Sequence, residues 1–269
     1  MTHYLRMPVG FGPTGNPRFS PVSHIEYDPA TNHKRFTAYA RFKTTAEAIR
    51  KLLPPELEPT EEPIIVFEFG YMTEIQWLAG RGYNMLQVKV SAKTVDDFDG
   101  EAIHGWFQPV LWENMCEPII SGREDIGWPK IYAELPTPRH SDGRWNFIAA
   151  WDSFRFIELE LAGLTATDTA PPGTLPLVNH KYIPAMCQPD AAEVDFLLVT
   201  PVGGPALRVI EHHSAQQAQL SINRARWEDM PTQFQIVNRL AEVPLLEVVQ
   251  AGIFSSQGGN NLGNQHRIT

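Results

Sequence analysis

The sequence predicts a mainly β protein with a few helices. Its 269 residues include 19 glycines and 23 prolines spread along the chain, as expected where many short strands are joined by turns. Several segments alternate apolar and polar residues with the period of a strand, and one segment has the apolar spacing of a capped helix. No obvious linker divides the chain, so we expect a single domain over residues 1–269.

The predicted helix begins after Thr44. The Thr44 hydroxyl can cap the N-terminus, and Glu47, three residues further on, completes a capping box. The helix then needs an apolar face and a stop signal, because a proline cannot continue it. These are supplied by Ala48, Ile49, Leu52 and Leu53, followed by Pro54 and Pro55.

The other periodic segments predict strands. Within one of them Lys89 falls on the polar phase of the alternation, which predicts that its side chain is exposed to solvent. The predicted strands cover residues 64–69, 86–91, 154–161, 233–240 and 245–254.

Both ends of the chain differ from the middle. Proline, glycine, serine and asparagine are concentrated over residues 8–32, so we expect residues 1–32 to form an irregular N-terminal segment. Residues 255–269 form a polar tail rich in glycine, asparagine and glutamine, which we expect to be mobile or loosely docked.

The composition argues against several function classes. The 22 lysines and arginines against 31 aspartates and glutamates give a net charge of −9, which disfavours general binding to nucleic acid or to anionic membranes. No apolar run approaches the roughly 20 residues of a membrane span, and the N-terminus lacks the apolar core of a secretory signal. His212 and His213 are adjacent on a strand and point to opposite sides, so we expect no shared metal. The expectation is a soluble cytoplasmic protein.

Lys130 is the residue that points to chemistry, because it sits in the largely apolar run 127–133. A solvated lysine has a pKa near 10.4, so only about one amine in a few thousand is neutral at pH 7. Only a neutral amine attacks a carbonyl, and burial can lower the pKa of a lysine by about 3–5 units. A buried Lys130 would therefore be an amine nucleophile with a pKa well below the usual value. The alternative is that its head reaches water past Trp128.

The run that contains Lys130 resembles the signature of the acetoacetate decarboxylase superfamily. That signature is Gly-Arg-Glu followed by an aromatic residue, proline and lysine, and here it comprises Gly122-Arg123-Glu124 and Trp128-Pro129-Lys130. The similarity extends over nearly the whole chain and includes His33-Lys34-Arg35, the segment 53–58, the strand 62–68, and the later segments 179–184 and 244–249.

The resemblance implies a fold and an activity. The fold would be an antiparallel cone-like β-barrel with its pocket inside, assembled as a homo-oligomer. Lys130 would form an imine with a small keto acid, without cofactor or metal. Arg35 would hold the substrate carboxylate, and Glu68 would accept a proton or orient Arg35. On local sequence alone, a surface ion pair explains Arg35 and a solvent-facing strand position explains Glu68.

Two positions depart from the family pattern. Family decarboxylases usually carry a second lysine directly after the imine-forming one, and here that position is Ile131. Apolar burial alone would then have to lower the pKa of Lys130. The decarboxylases also carry a catalytic glutamate two residues after a tyrosine in the next strand. Here Tyr83 is followed by Asn84 and Met85, so that carboxylate is missing.

Other residues near the signature are candidates for the pocket. Either Glu113 or Glu124 could supply the proton-transfer group that Met85 cannot, although Glu124 fits a structural role with Arg123 better. Aromatic side chains could wall the pocket, though core packing explains them equally well. These are Trp112, Trp128 and Tyr132.

Three functions follow from the resemblance. The first is an acetoacetate decarboxylase-like lyase. The second is an aldolase–dehydratase that condenses pyruvate with an aldehyde through the same lysine imine, which the missing carboxylate favours. The third, of another class, is a catalytically inactive protein that binds a keto acid reversibly.

Overall fold

The computed structural model of the chain describes residues 28–268 except 29, 99, 169–170, 172–174, 203–206, 260–261 and 263. The predicted irregular segment 1–32 therefore lies almost entirely outside the described residues. No helix in the described part is long and apolar enough to cross a membrane.

The described residues form fourteen strands and three α-helices, which confirms the mainly β prediction. The helices are α1 (Ala46–Arg50), α2 (Cys116–Glu124) and α3 (Phe234–Ala241). The strands are β1 (Lys34–Lys43), β2 (Leu57–Pro59), β3 (Ile64–Ile75), β4 (Arg81–Thr94), β5 (His104–Glu113), β6 (Lys130–Tyr132), β7 (Arg139–Ser141), β8 (Arg144–Trp151), β9 (Phe154–Ala166), β10 (Leu177–Ala185), β11 (Gln188–Thr200), β12 (Arg208–Ile222), β13 (Glu247–Gln257) and β14 (His266–Arg267).

All of these strands belong to one sheet. Its order is β14-β11-β10-β5-β4-β3-β1-β13-β12-β9-β8-β7, with β2 beside β4 and β6 beside β5. The pairings are antiparallel, as predicted, except for the parallel pairs that β5 makes with β10 and with β6. The parallel β5–β6 pair brings the segment after α2 back to the middle of the sheet, where Lys130 lies.

The central strands β1, β3, β4 and β5 bury both of their faces. One face is the main apolar core, in which residues such as Phe67, Phe69, Leu86 and Trp112 share a cluster with side chains of β8, β9 and α3. Because side chains alternate along a strand, the residues between these face the other side. That second face carries polar side chains, and it holds Lys130.

The helix α1 forms within the predicted segment, but it ends at Arg50, before Leu52 and Leu53, and its cap is one residue later. The side chain of Thr45 accepts a hydrogen bond from the Ala48 amide at 3.2 Å, so Thr45 is the N-cap and the prediction of Thr44 is wrong. The Thr44 amide instead donates to the Pro63 carbonyl, which ties the residue to the chain before β3.

The segment 233–240 is a helix, so the predicted strand there is wrong. Val237 and Leu240 are both buried and are three residues apart, which is the spacing of one helix face. In the sequence this spacing can be mistaken for the irregular alternation of a strand. Asn238 fixes the helix against the chain by bonding both the amide and the carbonyl of Ala225 at 2.9 Å. The other predicted strands are confirmed as parts of β3, β4, β9 and β13.

The polar tail begins later than predicted. Residues 255–257 are the last residues of β13, so they are not part of a loose tail. His266 and Arg267 form β14 against β11, and the Ile268 amide donates to the Leu197 carbonyl at 2.9 Å. Residues 260, 261, 263 and 269 lie outside the described residues.

We predict that Gln233→Met destabilises the fold. Gln233 accepts the Trp112 indole N–H at 2.7 Å and donates to the Tyr132 carbonyl at 3.0 Å. Losing it leaves a buried donor without an acceptor, which costs about 1–3 kcal/mol in the free energy of unfolding. Urea unfolding measures this loss. The matched control is Gln235→Met on the exposed side of α3, which should change stability by less than about 0.5 kcal/mol.

Candidate active site

Lys130 is held in place by the Gly-Arg-Glu signature of α2. Its side chain lies directly against Gly122, where even a Cβ atom would collide with Lys130 Cδ and Cε. The Arg123 guanidinium donates to the Lys130 carbonyl at 3.1 Å, and the Trp128 amide donates to the Gly122 carbonyl at 3.0 Å. The signature therefore has a physical role, because the glycine makes room for the lysine and the arginine fixes its backbone.

Lys130 forms an enclosed ion pair with Glu113. The two side chains are each 1% exposed, and Lys130 Nζ lies 2.7 Å from Glu113 Oε1. Two aromatic rings flank the amine, with Nζ 5.8 Å from the Tyr83 centroid and 5.4 Å from the Trp128 centroid. The amine is thus dry, so the alternative in which it reaches water past Trp128 is wrong. Its surroundings are not purely apolar, however, because a carboxylate touches it.

A second buried polar cluster surrounds Glu68. Its carboxylate contacts Arg35 at 3.6 Å and Lys89 at 2.9 Å, and it accepts a hydrogen bond from Gln87 at 2.7 Å. Gln87 in turn accepts one from Gln108 at 2.9 Å. Burial by itself would raise the pKa of Glu68, but Lys89, Arg35 and the hydrogen bonds together hold that pKa below its ordinary value. Glu68 is therefore an ionised carboxylate.

Lys89 belongs to this cluster, so its predicted solvent exposure is wrong. Its side chain is only 16% exposed and is paired with Glu68. The alternation of β4 is real, but its polar phase points to the second buried face of the sheet rather than to water. The polar positions of β4 are therefore the sequence signal that marks Lys89 and Gln87 as candidate site residues.

Register places the two clusters on the same face. Glu68 is opposite Gln87, Gln87 is opposite Leu111, and Leu111 is opposite Lys130 along four neighbouring strands. Residues that are opposite each other in a sheet point to the same side. The Glu68 and Lys130 clusters therefore lie on the same face of the sheet.

Met85 lies between the two clusters. It is opposite Gly70 on β3 and opposite Glu113 on β5. A Cβ atom on Gly70 would lie 2.8 Å from Met85 Cε and 3.6 Å from Arg35 Cδ, so this glycine lets the methionine and the arginine approach the same spot. The position where family decarboxylases carry a carboxylate is thus filled by an apolar side chain beside Arg35.

Three of the side chains considered for the pocket lie elsewhere. Trp112 points into the main core, where its indole donates to Gln233. Tyr132 is 47% exposed. Glu124 ends α2, and its backbone carbonyl accepts a hydrogen bond from Lys181 at 2.6 Å.

Tyr39 and His212 are further polar residues that sequence reasoning missed. Tyr39 is opposite Glu68, and its hydroxyl lies 2.9 Å from His212 Nε2. Burial raises the pKa of Tyr39 to about 12, so the phenol stays protonated at neutral pH. No signal in the sequence marks this pair, because its members are far apart in the chain and meet only through the β1–β13–β12 pairing.

Metal ligands do not cluster in the described part of the chain, where no group of three histidine, cysteine, aspartate or glutamate side chains could hold an ion. Cys116 and Cys187 are both free and exposed. The ionisable groups described on this face are the Lys130 and Lys89 amines, the Glu113 and Glu68 carboxylates and the Arg35 guanidinium.

We predict that Glu68 makes stability depend on pH. Its folded-state pKa lies below the ordinary value of 4.5, so it stabilises the fold above that pH. That contribution is lost as the pH falls through the folded-state pKa. The free energy of unfolding, measured in urea as the pH is lowered, should fall less steeply below pH 4.5 in Glu68→Gln than in the wild type. Glu61→Gln, at an exposed position, should keep the wild-type slope.

The fold is shared with solved structures. An acetoacetate decarboxylase has a TM-score of 0.66 at 15% identity, over 88% of this chain and 89% of that chain. The acetoacetate decarboxylase of Legionella pneumophila gives 0.62 at 16%, over 91% and 94%. The enduracididine biosynthesis enzyme MppR complexed with pyruvate gives 0.62 at 16%, over 92% and 93%. MppR has also been solved with the condensation product of pyruvate and imidazole 4-carboxaldehyde. These likenesses confirm the predicted acetoacetate decarboxylase-like fold.

The family assignment has an independent basis in the sequence. None of the curated proteins compared with this chain matches it. The family model for acetoacetate decarboxylase (ADC), in contrast, matches residues 6–255, which is most of the 269-residue chain and includes both clusters. The chain therefore belongs to the acetoacetate decarboxylase family.

Proposed function

We propose that this chain is a cofactor-independent lyase that binds a small keto acid as an imine on Lys130. The observation that carries the proposal is the enclosed pair of Lys130 and Glu113, with Nζ and Oε1 2.7 Å apart and both side chains 1% exposed. Burial disfavours the charged form of a lysine and so lowers the stability of the fold. Lysines in such surroundings are found mainly at functional sites. Family membership supports the same use.

The Lys130–Glu113 pair can prepare the nucleophile. Transfer of one proton from Nζ to the carboxylate gives a neutral amine and a neutral acid, and both lose charge in a site that disfavours charge. The amine then attacks the substrate carbonyl. Glu113 gives its proton to the carbonyl oxygen, then takes a proton from the attacking nitrogen and gives that one to the same oxygen. The oxygen leaves as water, and a protonated imine and an ionised Glu113 remain. One carboxylate can thus serve as base and then as acid.

Arg35 is suited to the carboxylate of the keto acid. Register places it on the same face of the sheet as Lys130, and its partner Glu68 is shared with Lys89. The Arg35 Nε atom is buried and has no hydrogen-bond acceptor among the described residues. A guanidinium whose donors are not all used can bind a carboxylate without first breaking an ion pair. Glu68 then orients Arg35 rather than acting on the substrate.

Condensation with an aldehyde is the second candidate reaction, and Met85 favours it. The protonated imine withdraws electrons from the neighbouring carbon, so either loss of carbon dioxide or proton removal gives an enamine. The apolar Met85 side chain offers no proton-transfer group where the family decarboxylases have one. MppR, solved with a pyruvate condensation product, is a family precedent for the second path. The alternative of an inactive keto-acid-binding protein keeps the pocket but lacks turnover.

We predict that borohydride traps a keto acid on Lys130. Reduction of the imine should add the mass of the keto acid, less water and plus two hydrogens, to the peptide that contains Lys130. Lys89 is an internal control, because it also lies on this face and pairs with a carboxylate. Its partner Glu68 has a lowered pKa and is a poor proton acceptor, so Lys89 should stay unmodified. Lys130→Met should form no adduct. Failure to trap pyruvate, acetoacetate or any other small keto acid on the wild type would contradict the proposal.

We predict that the reaction partner decides the product. With pyruvate and an aromatic aldehyde, the wild type should produce the absorbance of a conjugated enone. With acetoacetate, carbon dioxide release should be slow, and Met85→Glu should raise it on the order of 10²-fold, as a positioned proton-transfer group does. Met85→Gln, which has the same shape without the acid, should not. Rapid decarboxylation by the wild type would instead favour the first candidate.

A further inference from the structure

Trp128 has a hydrogen-bond donor that nothing in the described part of the protein accepts. Its Nε1 atom is buried and has no partner among the described residues. Its ring centroid lies 5.4 Å from Lys130 Nζ. A buried donor without an acceptor costs about 1–3 kcal/mol, and folded proteins contain few of them.

Packing alone does not explain a tryptophan at this position. The ring packs against an apolar cluster that includes Met72, Met85 and Leu111, and those side chains offer no good acceptor. A phenyl ring would give a similar wall without an unsatisfied N–H. In contrast, the indole of Trp112 on the core face has its acceptor, Gln233, at 2.7 Å. The difference between the two tryptophans is that Trp128 stands beside the amine.

We propose that the Trp128 Nε1–H group binds the carbonyl oxygen of the keto acid while Lys130 attacks it. This inference rests on the proposed imine chemistry. In the attack, a bond forms between Nζ and the carbonyl carbon, and the π electrons of the C=O bond move onto oxygen. The indole donates a hydrogen bond to that oxygen as its charge develops, and no bond of the indole is broken. The oxygen then receives one proton from Glu113 and one from the attacking nitrogen, and it leaves as water while the C–O bond breaks and the C=N bond forms.

The position of the ring suits this role. In the tetrahedral intermediate the oxygen is only two bonds from Nζ, so a donor on a ring that flanks Nζ can reach it. Other buried donors on the same face also lack acceptors among the described residues, and they include Arg35 Nε and Thr37 Oγ1. These two lie on β1, beyond Met85, and match the carboxylate end of a keto acid. The two groups of donors thus correspond to the two oxygen-bearing ends of the substrate.

The test removes the N–H group and keeps the shape of the ring. Incorporation of 3-benzothienylalanine at position 128 replaces the indole N–H by sulfur, and Trp128→Phe removes the donor together with one ring. The rate of imine formation with pyruvate is measured by timed borohydride quenching. We expect a fall on the order of 10²-fold in both variants, the usual effect of losing one oxyanion donor. The pyruvate concentration at half-saturation should change little.

The same analogue at position 112 is the matched control. It removes an N–H group that is already bonded to Gln233, so it should lower stability and leave the rate of imine formation unchanged. An unchanged rate in the position-128 analogue, or an equal fall in the position-112 control, would overturn this inference while the imine chemistry stands. If the wild type forms no adduct with any keto acid, both the inference and the proposed function are wrong.

Discussion

The site depends on one enclosed ion pair, Lys130 with Glu113. An amine and a carboxylate that are both cut off from water stabilise each other only while they stay in contact, since either one alone would be a buried charge. Every nearby feature serves that contact. Gly122 leaves room for the lysine, Arg123 holds its backbone carbonyl, and β6 pairs with β5 so that the amine reaches the carboxylate. The same pair gives the amine an immediate place to leave its proton.

The central strands position the remaining polar groups of the site, because these strands are buried on both faces. One face packs the apolar core, and the other collects polar groups that bond to one another. In the low dielectric of such a face, each charge must be balanced nearby. Glu68 is held ionised by Lys89 and Arg35, and this arrangement leaves part of the Arg35 guanidinium without an acceptor among the described residues. A substrate carboxylate would complete it.

The departures from the family pattern have a consistent physical meaning. Ile131 replaces the second lysine, so cationic repulsion does not contribute, and Glu113 contacts the amine instead. Met85 replaces the carboxylate of the decarboxylases, and Gly70 gives it the space beside Arg35. With both changes, the carboxylate that contacts Lys130 is Glu113. Under the proposed function, an imine on Lys130 would have its proton-transfer group at Glu113 and not at the position of Met85.

The sequence by itself determined the mainly β class, four of the fourteen described strands and the signature that contains Lys130, because alternation, turn residues and a local signature are properties of neighbouring residues. Alternation in the sequence does not distinguish a buried polar face from a solvent-exposed one, and for this reason it predicts an exposed Lys89. The sequence also could not tell the three-residue spacing of α3 from an irregular strand. Only the tertiary structure decided that Glu113, rather than Glu124, meets Lys130, and that Tyr39 meets His212. Those contacts depend on strand register between distant segments, and register is set by the packing of the whole sheet.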